Sequence, residues 1–138
     1  MSAFGDGSAP LASIAVNVRW GDMDAFGHVN NAVFLTYLEE ARVTWLASLP
    51  GPGLRGTVAP VLANSTVNFL RPIVWPSQLV VDLQLGRLGR SSLTLAHRLR
   101  AADDASRVHA DGSVVLVWID TGTGSSVPLP DEIRALAS

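Results

Sequence analysis

The stretch Asn31-Ala-Val-Phe-Leu-Thr-Tyr-Leu-Glu-Glu-Ala-Arg-Val-Thr-Trp-Leu-Ala-Ser-Leu49 decides how the rest of the chain must fold. Val33, Phe34, Tyr37, Leu38, Ala41, Trp45 and Leu49 recur at steps of three and four, which draws one broad apolar stripe along an α-helix. Glu39, Glu40 and Arg42 fall largely off that stripe. Asn30 or Asn31 suits the N-cap, because a short side-chain oxygen there can accept from a first-turn N–H. Pro50-Gly51-Pro52-Gly53 stops the helix firmly. The chain carries no second long helical pattern, so this helix, with its aromatic content, is expected to be central and wrapped by other elements.

Working outward, what surrounds it reads as strand. Ser13 to Arg19 alternates, with Ile14, Val16 and Val18 against Ala15, Asn17 and Arg19. Beyond the helix, Val58 to Arg71 is rich in Val, Thr and Asn and closes at Pro72. Leu79 to Leu88 sets Leu79, Val81, Leu83 and Leu85 against Val80, Asp82, Gln84 and Gly86. Ser92 to Arg100 sets Leu93, Leu95, His97 and Leu99 against Thr94, Ala96, Arg98 and Arg100. Arg107 to Asp120 is the last strand, and Asp111-Gly112 within it is expected to mark a bulge or kink. Pro130 to Arg134 opens a short terminal helix, with Pro early and acids in the first turn. Short turns imply antiparallel neighbours. About five strands and one long helix can bury that helix only against a single sheet face, an α+β two-layer architecture. Residues 1–12 read as a flexible lead-in and residues 13–138 as a single domain.

Composition narrows the function classes. A chain of 138 residues buries about two-thirds of its unfolded surface without staples. It has no cysteine, which excludes a disulfide framework, a thiolate zinc site and a cysteine nucleophile. Ten basic residues against twelve acidic ones argue against general nucleic-acid binding. Met1 to Pro10 lacks the basic and apolar regions of a signal peptide, and no window approaches the roughly 20 apolar residues of a membrane helix. The expectation is a cytoplasmic protein whose surplus apolar surface is met by further copies of itself. His97 and His109 have no partners at metal-ligand spacing, so both read as structural and no metal is expected. No Gly-x-Ser-x-Gly elbow is present, which removes a serine triad.

The chemistry concentrates in Trp20-Gly-Asp-Met-Asp-Ala-Phe-Gly-His-Val-Asn-Asn31, which places two carboxylates, a histidine and two amides just ahead of the helix. Free N–H groups and the dipole at a helix start stabilise negative charge developing on a ligand oxygen. A carboxylate held opposite could attack a carbonyl or activate a water. Asp, Gly and Asn are equally the residues of an ordinary turn, and on these grounds alone Asp22 reads as a turn former.

The strings Arg19-Trp-Gly-Asp-Met-Asp24, Gly27-His-Val-Asn-Asn31 and Tyr37-Leu-Glu-Glu-Ala-Arg42 closely resemble the 4-hydroxybenzoyl-CoA thioesterase family of hotdog proteins. Phe69-Leu-Arg-Pro72, the Gly89-Arg-Ser-Ser92 turn and the closing strand to Asp120 resemble it too, so the likeness runs in order from about Ile14 to Leu136. The resemblance implies a hotdog fold: an antiparallel sheet wrapped around one long central helix. It implies hydrolysis of an acyl-CoA thioester without a cofactor. Asp24 would be the catalytic carboxylate, as nucleophile or general base, and Asn31 the donor of a backbone N–H to the thioester oxygen. It further implies a homodimer or homotetramer, with the acyl group entering between subunits and coenzyme A lying along the strands. His28 and Asn30 match the branch carrying Gly-His-Val-Asn rather than the aromatic-acyl branch.

On that expectation His28 and Asn30 join the substrate-binding set, and Phe26, Phe34 and Tyr37 would suit an aliphatic or small aromatic acyl group. Arg87 and Arg90 are placed to meet the coenzyme A phosphates, with Ser91 donating a hydrogen bond. The competing readings are a hotdog protein that binds acyl-CoA without turning it over, and a hotdog hydratase, which would use a different local motif.

Overall fold

A computed structural model describes residues 4–5, 9–51, 54 and 56–137. Five strands, β1 (Ala12–Asn17), β2 (Val58–Phe69), β3 (Gln78–Leu88), β4 (Ser92–Ala101) and β5 (Val108–Asp120), accompany one long helix, α1 (Asn31–Ser48), and a short one, α2 (Asp131–Arg134). Single 3₁₀ turns occupy Trp20–Asp22 and Ala135–Ala137. Asn30 rather than Asn31 is the N-cap, its side-chain oxygen accepting from Ala32 N–H at 2.9 Å. The helix ends with Leu49 as C-cap, ahead of Pro50 and Gly51; Pro52 and Gly53 of the expected stop lie outside the described residues.

The strands form one antiparallel sheet in the order β1-β3-β4-β5-β2. Strands joined by short turns are neighbours as expected, but β2 and β3 are not. The connection after Phe69 carries the chain from one edge of the sheet to the far side of β4, leaving β2 outermost. The alternation of the strands decides which residues face α1. Leu79, Val81 and Leu83 pair across to Ala101, Leu99 and His97, and Leu93, Leu95 and Leu99 to Leu116, Val114 and Ala110. All are buried on the helix side, where α1 presents Phe34, Tyr37, Leu38, Ala41, Trp45 and Leu46. Each fully buried Leu or Phe contributes roughly 1.5–3 kcal/mol of hydrophobic stabilisation.

Two polar positions depart from the expected pattern. Arg42, off the stripe by spacing, is buried at 7% exposure, and its ion pair is Glu39 at 3.6 Å. Burial depresses its pKa, with Glu39 opposing. Asp82, on the nominally wet face of β3, is 2% exposed. Antiparallel pairing brings Arg98 and Arg100 of β4 onto it at 3.0 and 2.7 Å, and Ser13 of β1 donates to it at 2.7 Å. Burial works to raise the Asp82 pKa, and the donors from Arg100, Ser13 and Arg98 outweigh it and hold it below the usual carboxylate value. Phe4, within the expected lead-in, covers the Arg98 guanidinium at 4.2 Å from ring centroid to Cζ.

The bulge expected at Asp111-Gly112 lies elsewhere. Pairing of β5 runs unbroken through both residues, and the register with β4 shifts at His109, between Ala110 and Val108. Gly112 serves a steric purpose instead: a Cβ there would stand 1.9 Å from the Thr66 carbonyl oxygen and 3.0 Å from His97 Nε2. The space it leaves lets His97 donate from Nε2 to the Thr66 carbonyl at 3.0 Å. His109 likewise donates from Nδ1, to the carbonyls of Arg71 and Pro72. Burial depresses the pKa of each histidine.

Candidate active site

The loop between β1 and α1 is built on Asp22. Its carboxylate, 4% exposed, accepts from Tyr37 Oη at 2.6 Å, from Arg19 N–H at 3.0 Å and from the Arg19 guanidinium at 2.9 and 3.2 Å. Burial pushes its pKa up, but the Tyr37 and Arg19 donors prevail and hold it below the ordinary value. Tyr37 moves the other way: burial, and then the adjacent carboxylate, raise it, so the phenol stays protonated as a donor. The backbone carbonyl of Asp22 accepts Asn30 N–H at 3.0 Å. Asp22 therefore touches Arg19 just past β1, the N-cap of α1 and the second turn of α1 at once.

From that anchor a tight hairpin projects. Met23 pairs with Val29, Asp24 N–H donates to His28 O at 2.8 Å, and Val29 N–H ties the hairpin to Ile73 O at 2.8 Å. Gly27, at φ 82°, makes the turn possible without the Cβ penalty of a left-handed residue. Asp24 Oδ1 accepts from Phe26 N–H at 2.9 Å, which fixes the side chain and leaves Oδ2 without a recorded donor among the described residues. Phe26 at the tip is 87% exposed.

Asp24, Phe26, His28, Val29, Asn30, Asn31 and Pro72 line one cavity of about 440 Å³ at the N-terminus of α1. With Ala32 N–H taken by the Asn30 side chain and Val33 N–H by its carbonyl, the Asn31 N–H has no acceptor among the described residues. A larger cavity of about 770 Å³ lies on the other side of Pro72, lined by Asn17, Ser77, Gln78, Arg107 and His109 among others. Among the described residues no group of three or more His, Asp and Glu side chains could hold a metal ion.

The structure thus brings Asp24, His28, Asn30 and Asn31 together. It places Phe34 and Tyr37 in the core instead, Phe34 at 2% exposure and edge-on to Phe69 with ring centroids 5.2 Å apart. Arg87, Arg90 and Ser91 sit at the β3–β4 turn, the opposite end of β3 from Gln78 and the loop, about 33 Å away along an extended strand. The residue that sequence reasoning passed over is Asp22 with its partner Tyr37. The available signal was the phenol itself: a Tyr on a core stripe needs a buried acceptor for its hydroxyl.

Residues 18–136 match the family model of the Thioesterase-like superfamily. The long-chain acyl-CoA thioesterase FadM of Escherichia coli is 30% identical over 128 residues, covering 86% of this chain and 91% of that one. Among solved structures, a Pseudomonas aeruginosa protein assigned as a thioesterase is 42% identical with a TM-score of 0.86, covering 94% of this chain and 99% of that one. A Thermus thermophilus thioesterase, solved with coenzyme A and Zn, is 38% identical with a TM-score of 0.78, covering 92% and 97%.

Proposed function

This chain belongs to the Thioesterase-like superfamily and is a thioester hydrolase of hotdog fold, and on that premise we propose that it hydrolyses acyl-coenzyme A with Asp24 as the reacting carboxylate. The observation that carries the assignment is the shared cavity: Asp24 and Asn31, whose N–H is unengaged among the described residues, line the same space at the start of an 18-residue helix. A thioester carbonyl directed at Asn31 N–H develops its negative charge against the positive end of α1. Asp24 then attacks the carbonyl carbon to give an anhydride that water cleaves, or takes a proton from a water that attacks. In either route the C–S bond breaks, coenzyme A leaves as thiol or thiolate, and the acyl group leaves as the free acid. His28 and Asn30 orient the substrate, and Asn30 holds the helix start that aims the N–H.

The edge strand β2 supports the expected homodimer or homotetramer. Among the described residues this 12-residue strand pairs with β5 alone, and Val61, Leu62 and Phe69 along it are 42–49% exposed. An unpaired, apolar edge of that length is a template for a second copy. Antiparallel pairing of β2 with its equivalent turns the two sheets end past end. Arg87, Arg90 and Ser91 of one copy are then carried toward the Asp24 loop of the other, where they would meet the coenzyme A phosphates. A chain without cysteine suits the reducing cytoplasm.

The test is release of free thiol from a panel of acyl-CoA esters, butanoyl to palmitoyl, by wild type and Asp24→Asn. The expected result is a fall in kcat of at least about a hundredfold; a loss within about threefold removes Asp24 from the mechanism. Thermal stabilisation by the esters with no thiol released would instead support a binding protein.

A further inference from the structure

We propose that Asp22 and Tyr37 are positioning residues for the hydrolysis: together they set the register between the Asp24 hairpin and the Asn31 N–H. The inference rests on the assignment of Asp24 and Asn31 and goes beyond it, because neither Asp22 nor Tyr37 lines the cavity.

Asp24 and Asn31 belong to different elements, a hairpin and a helix, and each could move without the other. The shared point is Asp22. Its main chain fixes the helix start, through Asn30 N–H at 3.0 Å. Its side chain fixes the helix body, through Tyr37 Oη at 2.6 Å, six residues beyond Asn31. One residue on, Met23 pairs with Val29 and closes the hairpin that carries Asp24. The Arg19 guanidinium and N–H hold the same carboxylate from just past β1, so it can rotate toward neither neighbour. A general base or nucleophile must lie within hydrogen-bond or attack distance of its target, and an error of about 1 Å costs on the order of a hundredfold in rate. The buried carboxylate therefore acts on the reaction through geometry, two residues away from the group that reacts.

Tyr37→Phe removes one hydrogen bond and almost no volume, and Asp22→Asn keeps an acceptor for Tyr37 while abolishing the ion pair with Arg19. The expected result on the fastest acyl-CoA of the panel is a kcat lowered about tenfold for Tyr37→Phe and further for Asp22→Asn, with KM within about twofold of wild type. The pH profile of kcat keeps its wild-type midpoint, because Asp22 acts through position and takes no part in proton transfer. If Asp22→Asn does not fold, Tyr37→Phe alone decides. A kcat within about twofold of wild type for Tyr37→Phe, whatever its loss in thermal stability, overturns the inference and makes the clamp purely structural. An Asp24→Asn enzyme that remains active overturns the underlying assignment instead, so the two failures are told apart.

Discussion

Gly112→Ala is the substitution whose cost can be worked most directly from the structure. On the present backbone the new methyl stands 1.9 Å from the Thr66 carbonyl oxygen. To regain ordinary contact, β2 and β5 must part by about 1.3–1.5 Å at a position where strands normally lie 4.7–4.9 Å apart. That opening weakens the ladder hydrogen bonds on either side, at about 1 kcal/mol each, and disturbs the His97 hydrogen bond to the same carbonyl. The φ of 152° adds backbone strain of about 1–2 kcal/mol for an L side chain. The total is about 3–5 kcal/mol, which for a domain of this size lowers the thermal midpoint by roughly 10–17 °C. Thermal and urea unfolding, followed by circular dichroism, measure it. Gly124→Ala is the control: its φ is 77°, but no atom lies within 4 Å of the added methyl, so only the backbone penalty of about 1–2 kcal/mol applies. If Gly112→Ala unfolds within about 3 °C of wild type, the glycine is not there to admit the carbonyl, and the reasoning fails.

Acid should destabilise the protein in two stages. Burial depresses the pKa of His97 and His109, so each contributes stability that is full above the ordinary histidine value and lost as pH falls below about 6.5. Asp22 and Asp82, also depressed, contribute stability that is full above the ordinary carboxylate value and lost as pH falls through their lower folded values. The thermal midpoint should therefore fall between pH 7 and 5 and collapse at lower pH, with His97→Gln flattening the first stage; a midpoint constant from pH 7 to 5 would contradict this. If β2 pairs with a second copy as proposed, Leu62→Lys on this edge strand shifts the protein toward monomer in sedimentation and lowers thioesterase activity in parallel. An undiminished oligomer would place the subunit contact elsewhere.

The sequence made the elements legible because each carried its own period. Phe34, Tyr37, Leu38, Ala41 and Trp45 mark the helix, and the alternation from Leu79 to Leu99 marks β3 and β4 and the face they bury. Order within the sheet was not legible. Nothing in the run Phe69 to Ser77 states that it crosses from one edge to beyond β4, since that order is fixed by packing between distant segments. The polar burials were hidden for a related reason. Alternation puts Asp82 on the face away from the helix, but only the β3–β4 register reveals Arg98 and Arg100 closing over it. Asp24 and Asn31 were marked out by resemblance, whereas Asp22 looked like a turn residue because its partner, Tyr37, lies fifteen positions away.

The hairpin after Asp22 is pinned at its base and bare at its tip. Ala25, Phe26 and Gly27 are exposed, and Phe26 borders the cavity without bearing on the fold. With Asp24 as the proposed reacting group, chemistry would sit at the base of the hairpin and contact with the acyl group at its tip, within seven residues. On that proposal the base can stay fixed while the tip changes its side chains, so preference for one acyl group over another could drift without moving Asp24.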